Sequence, residues 1–111
     1  MEDLINQSEV NEFLSKIEHI FPNFVAGVVC DYHGFPIASK IPNNFPIQEN
    51  LIALLAISNK KELFINYGYL NVKKNIDRAK NINLILLLEE SAKNMKRLKK
   101  LNKLIKRQNL F

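Results

Sequence analysis

Few side chains in this sequence have the type and spacing to do chemistry. The two histidines, His19 and His33, stand alone, without a cysteine or second histidine at the separation of a metal site. Each reads as a surface residue. The single cysteine, Cys30, follows two valines, where a thiol behaves as a small hydrophobe; a nucleophilic thiolate needs exposure and nearby positive charge. Glu89 and Glu90 are adjacent at the end of an apolar strand and point to opposite sides, so they do not make an acid/base pair. The three glycines, Gly27, Gly34 and Gly68, are too scattered to cradle a phosphate. These residues predict no enzyme, no cofactor and no metal site, and leave binding of another macromolecule as the expected function.

The remaining reactive feature is charge. Residues 1–90 carry eight Lys/Arg against eleven Asp/Glu, whereas residues 91–111 carry eight Lys/Arg and no acid, which together give the net +5. The basic character belongs to the last segment alone. Lysine outnumbers arginine 13 to 3 in a chain also rich in Asn and Ile, so the choice of lysine says little about ligand geometry.

The elements that position these groups follow from periodicity. Ser8 reads as an N-cap, and Val10, Phe13, Leu14, Ile17, Ile20 and Phe21 recur at helical spacing until Pro22. Residues 24–30 are apolar on both alternating faces, as a central strand requires. Asp31-Tyr-His-Gly34 is a hairpin turn, and Pro36, which has no N–H to donate, puts the return strand 35–40 at a sheet edge. Residues 48–58 form an apolar second helix. Residues 61–67 read as helix or strand, and strand is favoured because alternation resumes at 69–73. Residues 82–88 form the second doubly buried strand. Ser91 could cap a final helix at 91–108, with Ala92, Met95, Leu98, Leu101, Leu104 and Ile105 on one broad face.

At 111 residues the chain fits one domain, 1–111, with residues 1–7 a flexible N-terminus. The expected class is α/β (α+β): two sheet faces to cover and three helices to cover them give a three-layer sandwich. The longest apolar run, residues 51–57, is far short of a membrane span. The acidic first ten residues do not look like a secretory signal, and a lone cysteine suits a reducing cytoplasm.

The hairpin Gly27-Val-Val-Cys-Asp-Tyr-His-Gly-Phe-Pro-Ile-Ala-Ser39 resembles the first hairpin of the Roadblock family (dynein light chain roadblock type), within the profilin-like and longin-like group of folds. The likeness extends through the Leu/Ala-rich middle helix, the strand 84–88 and the closing helix, over roughly residues 8–108. It implies a five-stranded, mainly antiparallel sheet of order 2-1-5-4-3, numbered along the chain, with the middle helix on one face and the terminal helices on the other. It further implies dimerisation through the middle helices and third strands, and a role as a non-catalytic scaffold or regulator that binds a small Ras-like GTPase. The segment 51–67 is short for a full helix plus a full third strand.

Two surfaces follow. The middle helix carries more apolar width than one sheet face needs, which reads either as core throughout or as a shared interface. Leu51, Leu54, Leu55, Ser58, Phe64 and Tyr67 are the candidate interface residues, toward a second copy or a paralogous subunit. Lys93, Lys96, Arg97, Lys100, Lys103 and Arg107 are the candidate basic docking surface. That face reads as solvated, as a docking site for an acidic protein or an anionic membrane, or as the nucleic-acid contact of a different kind of protein. The last is disfavoured because Phe111 is the only aromatic after Tyr69.

Overall fold

The computed structural model describes residues 6–57, 69–89 and 94–111. Its elements are α1 (Gln7–Ile20), β1 (Phe24–Cys30), β2 (Pro36–Lys40), α2 (Glu49–Ile57), β3 (Leu70–Asp77), β4 (Ile82–Leu88) and α3 (Asn94–Arg107). The four strands form an antiparallel sheet of order β2-β1-β4-β3. The expected five-stranded sheet is therefore not matched: the strand predicted at residues 62–67 lies outside the described residues. Ser91 and Ala92, expected at the start of the last helix, lie outside them too.

Side-chain alternation explains the layering. In β4, Leu84, Leu86 and Leu88 join α1's Val10, Phe13, Leu14 and Ile17 and α3's Leu101 in one buried cluster. Ile85 and Leu87 point the other way and meet Ile52, Ala53 and Leu55 of α2. β1 divides likewise, with Val29 on the α1/α3 side and Ala26, Val28 and Cys30 under α2. Both central strands are thus sealed on two faces, and a period of two places every second residue in each core. The register sets Gly27 opposite Leu86. A Cβ on Gly27 would lie 3.1 Å from Leu86 Cδ2 and 3.2 Å from the Phe24 ring, so the glycine makes room for both.

Chain ends and turns have local causes. Asn6, not Ser8, caps α1: its Oδ1 accepts from the Glu9 N–H at 3.2 Å. Gln7, expected in the N-terminal tail, begins the helix, and its side-chain amide donates to the Ile37 carbonyl. Pro36 lies on the edge strand β2, as its missing N–H demands, and the β1–β2 register shifts between Val29 and Cys30 beside it. At the other edge, Asn75 donates to Asn83 across the β3–β4 pair at 3.0 Å. Among the described residues, no helix is long and apolar enough to cross a membrane.

Leu86 tests this packing. It is fully buried at the sheet centre, whereas Met95 is 72% exposed on α3. Leu86→Ala should lower unfolding stability by ~2–5 kcal/mol, and Met95→Ala by less than about 1 kcal/mol. Urea titrations with unchanged slopes would measure both; equal losses would contradict the layered core.

Candidate functional site

The chemistry-bearing residues are dispersed. Cys30 is buried beneath α2, where its Sγ donates to the Ala53 carbonyl at 3.6 Å. Burial, and secondarily the neighbouring Asp31 carboxylate, push its thiol up to about 11. His19 is exposed on α1. His33 is exposed at the hairpin tip, its ring centroid 3.8 Å from that of Tyr32 and 5.8 Å from that of Phe35. Glu89 is exposed, and Glu90 and Gly68 lie outside the described residues. No three metal-ligating side chains come together among the described residues.

What the fold does assemble is an apolar face. The inner side of α2 buries Ile52, Ala53 and Leu55. Leu55 is fully buried in the chain's own core, which removes it from the expected interface set. Leu51, Leu54 and Ile57 occupy the outer side and remain 41–45% exposed. Of the other predicted interface residues, Ser58, Phe64 and Tyr67 lie outside the described residues.

The hairpin tip continues this face. Asp31 organises the turn: its carboxylate accepts from the His33 N–H at 2.9 Å and the Phe35 N–H at 3.0 Å. Gly34 takes φ +83°, the left-handed region that a side chain disfavours. It also sits under α2, because an added Cβ would come within 3.1 Å of Leu54 and 3.0 Å of Ile57. Tyr32 and Phe35, 56% and 66% exposed, flank that glycine. Leu51, Leu54 and Ile57 are thus exposed on α2, and Tyr32 and Phe35 on the turn whose glycine lies beneath Leu54 and Ile57. Tyr32 and Phe35 are not among the surface residues expected from the sequence; the available signal was a pair of aromatics on a tight turn. Among the described residues, Glu49 accepts from the Ser39 hydroxyl, and Lys40 pairs with Glu18 at 3.7 Å.

The opposite layer is charged. Lys96, Lys100, Lys103 and Arg107 of the predicted docking set are exposed on α3, together with Lys99 and Lys106. Arg97 departs from this set: it is half-buried and donates to Asn23 Oδ1 at 3.2 Å. Asn23 in turn donates to the Glu89 carbonyl and to Asn94 Oδ1, so this cluster ties α3 to the ends of β1 and β4. Lys93 lies outside the described residues. Met95, expected on the apolar face of α3, is instead 72% exposed. Between α1 and the end of α3 runs an open groove of about 450 Å³, with Phe13 and Leu104 among its lining, Glu9, Glu12 and Lys16 on one bank and Arg107 on the other. Glu12 and Lys16 pair with each other at 3.9 Å.

Compared with known proteins, the chain matches no family model and no curated sequence.

The state of Cys30 is directly measurable. Near neutral pH a thiol-specific reagent should modify it in the native chain at least about 100-fold more slowly than in urea, since both burial and the scarcer thiolate oppose reaction. As pH rises from 9.0 toward about 11, the unfolded chain releases this proton first, so folding stability should fall across that window. Equal labelling rates in the two states would place Cys30 at the surface.

Proposed function

We propose that this chain is a non-catalytic, dimeric scaffold of the Roadblock kind, which pairs through α2 with a second copy or a paralogous subunit and holds a small Ras-like GTPase in the cytoplasm. The observation that carries the reading is the uncharged outer side of α2, where Leu51, Leu54 and Ile57 stay exposed although the inner side already fills the core. Exposed apolar side chains gathered on one helix face mark an interaction site, and burying them against a second copy removes them from water. A fifth strand at residues 62–67, running beside the outer edge of β3, would complete the order 2-1-5-4-3 and offer its own edge to the partner. The GTPase enters through the resemblance of the hairpin at residues 27–39 and the order of the elements.

The mass of the chain, 12.9 kDa, makes pairing easy to detect. Light scattering should give about twice that value for the wild type and the single-chain value for Leu54→Asp, because a carboxylate buried between two α2 helices has no partner there. Circular dichroism should remain unchanged, as position 54 is on the outer side. Immobilised wild type should then retain Ras-like GTPases from a purified panel without consuming nucleotide itself. A monomeric wild type would refute the pairing; a dimer that captures no GTPase would refute the partner alone.

A further inference from the structure

We infer that the outward face of α3 is a docking ridge for an anionic lipid surface. This goes beyond the scaffold reading and does not depend on pairing through α2.

The ridge is defined by geometry as well as composition. At 100° per residue, Lys96, Lys99, Lys100, Lys103, Lys106 and Arg107 fall within an arc of roughly 120°, about opposite the stripe of Leu98, Leu101 and Ile105. That stripe packs on the sheet, with Leu101 fully buried. The cations therefore point straight away from the body of the domain, along about 17 Å of helix. No acid interrupts them: residues 94–111 contain neither Asp nor Glu.

A face meant only to stay solvated is ordinarily mixed, with acids three or four positions from bases. α1 follows that pattern with Glu12 and Lys16. α3 does the reverse. Lys96 has like-charged neighbours at Lys99 and Lys100, and Lys103 has them at Lys99, Lys100, Lys106 and Arg107. Each such pair weakens an isolated helix, and an external anionic surface would relieve all of them together.

Two features favour a lipid surface among polyanions. The arc contains no aromatic on which a base could stack. Met95, 72% exposed, lies at one margin of the arc, where a flexible apolar side chain can enter the headgroup layer beside the lysines. Glu9 and Glu12 face α3 across the groove by Arg107, and Glu89 lies beside its first turn through Asn23.

One double variant separates docking from folding. Every repulsive pair named above includes Lys96 or Lys103, so Lys96→Glu/Lys103→Glu converts each into an attractive one. The variant should melt at a higher temperature than wild type while losing its affinity for anionic lipid. Wild type should co-sediment with phosphatidylserine-containing vesicles in about 0.1 M salt, not with phosphatidylcholine alone, and should be released near 1 M salt. At about fivefold per unit charge over four units, the double variant should bind at least about 100-fold more weakly. Equal recovery with the two vesicle types, or full binding by the double variant, would overturn the inference. Retention on duplex DNA or single-stranded RNA without vesicle binding would also overturn it and assign the ridge to nucleic acid.

Discussion

The structure depends on β1 and β4 being closed to water on both faces. Each strand spends its odd and even residues on different cores: Val29, Leu84, Leu86 and Leu88 on one side, and Val28, Cys30, Ile85 and Leu87 on the other. No polar or charged residue is fully buried among the described residues. A backbone in such a place satisfies its hydrogen bonds through the ladders on either side, so hydrocarbon can fill the space around it without an uncompensated dipole. The same closure makes Cys30 a packing residue, since a thiolate there would sit against hydrocarbon and beside the Asp31 carboxylate. Side chains that could interact with a partner are thereby displaced to the outer sides of the helices and to the hairpin tip.

Features set by a strict period or by one residue's covalent chemistry were legible in the sequence. The helical stripe Val10, Phe13, Leu14 and Ile17, the two doubly apolar strands, the edge position of Pro36 and the positive φ of Gly34 all belong to that class. Features decided by direction around a nearly uniform helix were not. α2 is apolar over most of its circumference, so the wheel alone could not show that Leu55 faces the core while Leu54 and Ile57 cover Gly34. Arg97 belongs chemically with the lysines of α3, yet lies on the side of the helix that faces Asn23, and a hydrogen bond turns it from a surface charge into an anchor. Met95 reads as core by type, but it stands at the end of α3 and points off the sheet. Asn6 displaced Ser8 as the cap because the choice depends on which side-chain oxygen reaches the Glu9 N–H, and both residues are good caps.

The two outer surfaces differ in kind, and the sheet keeps them apart. On the α2 side the exposed residues Leu51, Leu54 and Ile57 are apolar, so their interaction with water is governed by area. On the α3 side, like charges crowd one helix, and the governing quantity is ionic strength. Asn23 connects the layers mechanically, since it holds Arg97 and Asn94 of α3 beside Glu89 at the end of β4. The first turn of α3 is therefore tied to the ends of the central strands β1 and β4.

This separation matters for a chain of net charge +5 that would associate with its own copy. Like-charged molecules repel at long range, but the repulsion decays over a Debye length of about 8 Å at physiological salt. The two shorter dimensions of the domain are 27 and 26 Å, and the ridge and the apolar patch lie on opposite sides of the sheet. Two copies meeting through α2 keep their cations several screening lengths apart, so the charge that favours an anionic surface costs little at the apolar contact. Had the same lysines stood on α2, every gain in attraction to anions would have weakened self-association. The proposed pairing on one face and the proposed docking on the other thus rest on separate sets of residues.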